Sequence, residues 1–133
     1  MGILHMPQRD KLFLLVDDEP DMCWALEHLL SQHGFVSRRA LSGREALGLT
    51  EAGARLFAFV DAKLPDMEGL EVAAKMREIN PAIQIVMVSG YFYKDDRTIR
   101  EALQEGLINA FISKPFSHAE ILETIKNLGA LPP

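Results

Sequence analysis

The stretch "LLVDDEPD", residues 14–21, changes abruptly from apolar to acidic residues. Leu14, Leu15 and Val16 form a continuous apolar run, which is typical of a parallel strand buried on both faces. Three acids, residues 17–19, follow at once, and Pro20 suits the first turn of a helix. The stretch therefore predicts a buried strand, an acidic turn and a helix in direct succession.

The same alternation continues along the whole chain, with short apolar runs separated by amphipathic segments. The apolar runs predict five strands, the second of them weak: Leu12–Val16, Val36–Leu41, Leu56–Val60, Ile83–Val88 and Asn109–Ile112. Helical spacing of apolar residues predicts a helix after each strand. Strict alternation of this kind favours an α/β fold with a parallel sheet and helices on both faces.

Helix boundaries are marked by local signals. "SGRE" (residues 42–45) and "SHAE" (residues 117–120) have the spacing of capping boxes at helix starts. Gly34 and Gly106 are placed to end the first and fourth helices, and Asn80-Pro81 to end the third.

Length and composition indicate one domain, since 133 residues can bury a substantial core without further support. The net charge of −5 argues against direct nucleic-acid binding. Cys23 is the single cysteine, so an internal disulfide is excluded and a cytoplasmic location is predicted. No apolar run approaches the roughly 20 residues of a membrane span. We expect residues 1–10 to be a disordered leader or cloning remnant, residues 11–129 the domain, and residues 130–133 a tail.

Polar residues follow four of the five predicted strands. Because the carboxyl ends of parallel strands meet at one edge of a sheet, these residues are expected to converge there. They are Asp17, Asp18, Asp61, Ser89, Ser113 and Lys114. Taken singly, each is equally typical of a turn or a helix cap. Their joint placement favours a functional site.

Clustered carboxylates need a cation, since neighbouring ones repel by roughly 4 kcal/mol per pair at an effective dielectric near 20. Oxygen ligands indicate Mg²⁺ or Mn²⁺ held by Asp17 and Asp18, and nothing in the chain has zinc-ligand spacing. A metal of this kind usually also binds a phosphate group. Lys114 and Ser89 could bind the remaining oxygens of that phosphate. Asp61 is then the natural nucleophile for an aspartyl-phosphate.

The segments "LLVDDEP", "FVDAKLPDMEGLE", "IVMVSGY" and "AFISKPF" closely resemble the receiver domain of two-component response regulators. The resemblance extends from Lys11 to about Leu128. It implies a flavodoxin-like, doubly wound, five-stranded parallel sheet in the order 2-1-3-4-5, with five helices on both faces.

The resemblance also implies a role for each site residue. Asp61 matches the phosphoacceptor, Asp18 matches the direct Mg²⁺ ligand, and Asp17 matches the acid that reaches the metal through water. The backbone carbonyl of Lys63 matches a further metal ligand, and Ser89 and Lys114 match the groups that bind the phosphoryl oxygens. Phe111 matches the aromatic switch, and Pro115 matches a cis proline. Glu19 is interpreted only as a solvated residue at a helix start, and Cys23 as inert packing.

The implied function is a signalling switch rather than an enzyme, although such domains promote their own phosphorylation and dephosphorylation. The phosphoryl donor would be a sensor histidine kinase or a phosphotransfer protein. Family members often dimerise through the face formed by helix four, strand five and helix five. No membrane partner is expected.

Three alternatives remain open. A Mg²⁺-dependent aspartyl-phosphate phosphatase of the haloacid-dehalogenase type needs an acid where Lys63 stands. A nucleotide- or flavin-binding module needs a glycine-rich loop after the first strand. A receiver that is not phosphorylated would act by protein binding only. The loop Gly90–Arg97 is longer than usual for the family, and its aromatic residues Tyr91–Tyr93 either cover the site or contact a partner.

Overall fold

The computed structural model describes residues 11–90 and 96–130. The predicted leader, the aromatic loop Tyr91–Tyr93 and the last three residues lie outside the described part of the chain. Strands and helices alternate strictly, as predicted: β1 (Lys11–Val16), α1 (Pro20–Gln32), β2 (Val36–Ala40), α2 (Gly43–Leu49), β3 (Arg55–Asp61), α3 (Gly69–Ile79), β4 (Gln84–Ser89), α4 (Arg97–Gln104), β5 (Ala110–Ser113) and α5 (His118–Asn127).

The strands form one parallel sheet in the order β2-β1-β3-β4-β5. This confirms the doubly wound, flavodoxin-like topology. The chain reverses its direction of winding at β1, so β1 and β3 flank the point where ligands bind in such sheets. The predicted site therefore falls at the topologically expected edge.

The apolar run in β1 serves two separate cores. Leu14 and Val16 face the core beneath α2, α3 and α4. Phe13 and Leu15 face the other core, beneath α1 and α5. Full burial stabilises side chains of this size by about 1.5–3 kcal/mol each. A strand that is buried on both faces must be apolar at every position, which explains the opening sequence.

The weak second strand proves to be an edge strand. Of its five residues, only Ala40 is buried, and Val36 is exposed. The predicted apolar signal was weak because only one neighbour, β1, covers β2. The strand also ends at Ala40, one residue before the predicted end.

The helix signals are largely confirmed. Gly34 and Gly106 adopt positive φ angles of 80° and 75° after their helices. The capping box at residues 117–120 is complete. At residues 42–45 it is only half formed. Ser42 Oγ accepts the Glu45 N–H, but the Glu45 carboxylate accepts the N–H of Leu41 instead of that of Ser42.

Arg77, near the end of α3, links the segments that precede β4 and β5, on the side of the sheet opposite the predicted site. Its guanidinium donates hydrogen bonds of 2.8–3.1 Å to the carbonyls of Pro81, Ile83 and Leu107 and to Asn109 Oδ1. The same Asn109 oxygen accepts the Ile85 N–H. Asn109, predicted as the first residue of β5, instead links the start of β4 to the segment before β5.

Within residues 11–90 and 96–130, no helix combines the length and the hydropathy needed to cross a bilayer.

Candidate functional site

The carboxyl ends of four strands bring the predicted polar residues to one edge of the sheet. Asp17 follows β1, Asp61 ends β3, Ser89 ends β4, and Lys114 follows β5. The Lys114 N–H donates to the Ser89 carbonyl at 3.0 Å, and the Ala62 N–H donates to the Val88 carbonyl at 3.3 Å. The strand-to-strand hydrogen bonding thus continues into the site and fixes its backbone.

Three carboxylates converge at this edge. Asp17, Glu19 and Asp61 each offer one oxygen, and these oxygens lie within 4.8 Å of one another. Asp17 and Asp61 are buried, with exposed fractions of 5% and 8%, whereas Glu19 is exposed. Asp18, the metal ligand that the resemblance implies, is also exposed and is not a member of this group.

Glu19, interpreted as only a solvated residue at a helix start, is indeed exposed at the start of α1, but its carboxylate also lies 3.4 Å from Lys114 Nζ. Its side chain makes no capping hydrogen bond to α1 and instead joins the carboxylate cluster. The cause is a turn in which Asp17 Oδ1 accepts the Glu19 N–H at 2.9 Å. Asp commonly accepts a hydrogen bond from the backbone two residues onward, so the pattern Asp-x-Glu was the available signal.

Lys114 supplies a cation to the site. Its Nζ lies 3.1 Å from Asp17 Oδ2, 3.4 Å from Glu19 Oε1 and 3.5 Å from Asp61 Oδ2. Burial by itself would lower the pKa of Lys114, but the hydrogen bond to Asp17 and the surrounding carboxylates outweigh burial and raise it. The ammonium group therefore stays charged and lies among all three acids.

The carboxyl group of Asp61 is in an unfavourable place for a negative charge. Burial raises its pKa, and the charge of Asp17 raises it further. The charge of Lys114 and a hydrogen bond from the Lys63 backbone act in the opposite direction without cancelling the effect. Within the described part of the chain, these three carboxylates and the Lys114 ammonium sum to a negative charge, which suits a divalent cation with oxygen ligands. The donor set thus fits a divalent metal site.

The loop between β3 and α3, residues 62–68, is closed on itself. The Gly69 N–H donates to the Ala62 carbonyl at 2.7 Å, and Lys63 Nζ lies 3.1 Å from Glu68 Oε2. A Cβ atom at position 69 would overlap the Asp61 carbonyl oxygen and lie 2.8 Å from Ala62 Cα. Only glycine lets α3 begin this close to the Asp61 backbone.

The remaining predicted residues have defined places. Ser89 is fully buried, and Phe111 is buried in the core beneath α2, α3 and α4. The Lys114–Pro115 peptide bond is cis, as the resemblance implies. Cys23 lies in α1, and its thiol donates to the Asp17 carbonyl at 3.4 Å. Burial raises the pKa of Cys23 to about 11, and the charge of Asp17 contributes to the increase. The thiol therefore stays protonated, which agrees with the prediction that Cys23 is inert packing.

Comparison with known proteins agrees with this geometry. Residues 13–126 match the response regulator receiver domain. The chain belongs to this family. It is 32% identical over 127 residues to the photosynthetic apparatus regulatory protein RegA of Cereibacter sphaeroides, covering 93% of this chain and 66% of RegA. It spans about half the length of several other regulators that it matches.

Solved structures give the same result for the fold. A CheY-like receiver domain protein from Methanospirillum hungatei superimposes with a TM-score of 0.79 at 29% identity, covering 89% of this chain and 92% of that one. The response regulator TrrA from Thermotoga maritima, in complex with Mg²⁺ and BeF, gives 0.72 at 28%, covering 89% and 98%. The receiver domain described here is thus a phosphoacceptor signalling domain of the two-component type.

Proposed function

We propose that this receiver domain accepts a phosphoryl group on Asp61, with Mg²⁺ or Mn²⁺, and then changes the partner preference of the face formed by α4, β5 and α5. The phosphoryl donor is a phosphohistidine on a sensor histidine kinase or a phosphotransfer protein. One observation carries the proposal: the Asp61 carboxylate lies 3.5 Å from Lys114 within a cluster of acids.

Each residue contributes a defined step. An ionised Asp61 oxygen attacks the phosphorus, forming an O–P bond while the P–N bond to the donor imidazole breaks. Lys114 and the Ser89 hydroxyl bind the phosphoryl oxygens. Asp17, Asp18 and Asp61, with the Lys63 backbone carbonyl, would hold the metal. When bound, the metal supplies neutralisation of the charge that accumulates during transfer.

The neighbourhood of Ser89 supports a switch. Ser89 ends β4 and pairs with Ser113 in the sheet, two residues after Phe111 in β5. An inward movement of Ser89 would therefore act on β5 directly, and the proposal is that Phe111 responds by changing its rotamer. Because this is a shift between two populated states, some of the active form is expected without phosphate.

Intact-mass measurement tests the proposal. The protein is incubated with Mg²⁺ and acetyl phosphate, and one phosphoryl group should be gained by the wild type and not by Asp61→Asn. A wild type that binds the metal yet gains no phosphoryl group would contradict the proposal and favour a receiver acting by protein binding only.

The phosphatase alternative is tested in the same samples by adding p-nitrophenyl phosphate. Multiple turnover of this ester would favour the phosphatase. The structure provides a reason to expect none, since Lys63 stands where that enzyme type needs an acid and its ammonium lies 3.1 Å from Glu68. Homodimerisation through the face formed by α4, β5 and α5 is tested by sedimentation before and after phosphorylation.

A further inference from the structure

The loop between β3 and α3 is hydrogen-bonded to α2 through the side chain of Asp66. Asp66 Oδ1 accepts the N–H of Gly43 at 2.8 Å, and Asp66 Oδ2 accepts the N–H of Arg44 at 2.9 Å. These are the first two residues of α2, and they precede Asp66 by 23 and 22 positions in the chain. Both oxygens of the carboxylate are therefore used in a long-range contact.

The contact adds a long-range connection to the local cap of α2. Ser42 already caps the helix locally, because its Oγ accepts the Glu45 N–H at 3.1 Å. Of the two further N–H groups, that of Arg44 belongs to an exposed residue that water can reach, whereas that of Gly43 belongs to a buried residue and is satisfied by Asp66. The hydrogen bonds from Arg44 and Gly43 lower the pKa of Asp66, so the carboxylate stays ionised at neutral pH. What Asp66 adds is a connection between two elements.

Packing beside this contact is tight. A Cβ atom at position 43 would overlap Met67 Cγ and lie 2.8 Å from Val72 Cγ2. Met67 follows Asp66 in the loop, and its carbonyl accepts the Leu64 N–H at 3.2 Å. The first turn of α2 thus lies directly against the middle of the loop.

We propose that Asp66 is a positioning residue for the acceptor site: by binding the first turn of α2, it holds the loop that directly follows Asp61 and contains the Lys63 carbonyl. The inference rests on the proposed function for its catalytic meaning. The ends of the loop are joined by the hydrogen bond from Gly69 to Ala62, and Asp66 fixes its middle. A loop held in this way presents Asp61 and Lys63 already arranged for a metal ion.

Metal binding is the direct test, with Mn²⁺ titrated into the protein and unbound Mn²⁺ followed by electron paramagnetic resonance. Asp66→Ala should weaken Mn²⁺ affinity about tenfold, which is the lower end of the range for groups that orient metal ligands. Asp66→Asn keeps one acceptor oxygen and should fall between Asp66→Ala and the wild type. The phosphorylation rate at saturating Mg²⁺ should stay within about twofold, because the loop regains its arrangement once the metal binds.

Ser42→Ala is the matched control. It removes a cap of α2 without detaching the loop, so it should lower stability while leaving Mn²⁺ affinity within about twofold of the wild type. Equal weakening in Asp66→Ala and Ser42→Ala would reduce Asp66 to a helix cap and overturn the inference, as would unchanged affinity in Asp66→Ala. Circular dichroism checks the fold, and Asp66→Asn replaces Asp66→Ala if the latter does not fold.

The outcomes separate this inference from the proposed function. If the wild type is phosphorylated and Asp66→Ala keeps full Mn²⁺ affinity, only the positioning role fails. If the wild type binds Mn²⁺ but takes no phosphoryl group, the proposed function fails, and the affinity of Asp66→Ala still decides whether the loop is positioned by α2. A wild type that binds no divalent metal overturns both.

Discussion

Replacing the proposed acceptor, Asp61→Asn, is expected to make the folded domain more stable at neutral pH. Asparagine has nearly the same shape as aspartate but carries no charge. In the wild type, burial and the nearby charge of Asp17 hold the pKa of Asp61 above its usual value. An acid with a raised pKa destabilises the folded state whenever it is ionised.

The magnitude follows from the geometry of the cluster. Asp17 and Asp61 oxygens lie within 4.8 Å, so their repulsion is at least about 3.5 kcal/mol at an effective dielectric near 20. Lys114 lies 3.5 Å from Asp61, an attraction of about 4.7 kcal/mol on the same scale. Exposed Glu19, at a dielectric nearer that of water, adds about 1 kcal/mol of repulsion. These interactions nearly cancel.

What remains is the cost of taking the Asp61 carboxylate out of water, a cost of several kcal/mol for a fully buried ion and less for Asp61, which keeps 8% of its surface exposed. An amide avoids most of this cost. We therefore expect Asp61→Asn to raise the free energy of unfolding by about 1–2 kcal/mol, or the melting temperature by about 3–8 °C.

The difference in unfolding free energy is measured by urea denaturation, with far-ultraviolet circular dichroism as the signal, without added metal and at several pH values. The gain in unfolding free energy of Asp61→Asn over the wild type should be complete above the raised pKa of folded Asp61. It should shrink as the pH falls through that value and disappear below the unfolded value of about 3.9, where both states carry the proton. Saturating Mg²⁺ should also reduce the difference in unfolding free energy between Asp61→Asn and the wild type, because the metal should stabilise the wild type more than the variant.

Asp66→Asn is a control of opposite sign. The pKa of Asp66 is lowered by its hydrogen bonds from Arg44 and Gly43, so this variant should be less stable than the wild type at neutral pH. Its deficit should vanish only as the pH falls through that lowered value. Destabilisation by Asp61→Asn at pH 7, or a gain that does not change with pH, would refute the reasoning.

Four further variants probe separate parts of the structure. Arg77→Met should lower the free energy of unfolding by about 2–3 kcal/mol in urea titrations, since three backbone carbonyls lose a charged donor, and should leave phosphorylation of Asp61 unchanged. In Mn²⁺ titrations, Asp18→Asn should weaken affinity more than Glu19→Gln, because the proposed function assigns Asp18 to the metal; a larger loss in Glu19→Gln would contradict that assignment and favour the cluster of Asp17, Glu19 and Asp61 as the metal site. Gly69→Ala should slow phosphorylation by acetyl phosphate more than tenfold, because its Cβ displaces the Asp61 backbone, and a rate equal to that of the wild type would contradict the close approach.

Sequence patterns located those elements whose surroundings are uniform. β1, β3 and β4 are enclosed on both sides by other strands and on both faces by helices, so nearly every position is apolar. The edge strand β2 does not need to be apolar at nearly every position, and its prediction was weak for that reason. The convergence of Asp17, Asp61, Ser89 and Lys114 was predictable because parallel strands end at one edge of the sheet.

Two site features could not be predicted in the same way. The direction of Glu19 depends on a turn around Asp17, and strand periodicity says nothing about side chains beyond the strand end. The contact of Asp66 joins residues 22 and 23 positions apart, and it depends on how closely α2 approaches α3. Such a distance reflects packing between helices, for which a single chain offers no repeating pattern.

Trp24 gives the domain an optical probe of α1 in particular. It is the single tryptophan of the chain, it is 59% exposed, and its ring lies parallel to that of His28 with centroids 5.2 Å apart. An indole that is already hydrated changes its emission wavelength little on unfolding, whereas separation from the imidazole changes its intensity. Intensity therefore reports on one helix while circular dichroism reports on the whole fold, and a difference between their midpoints would reveal that α1 melts separately.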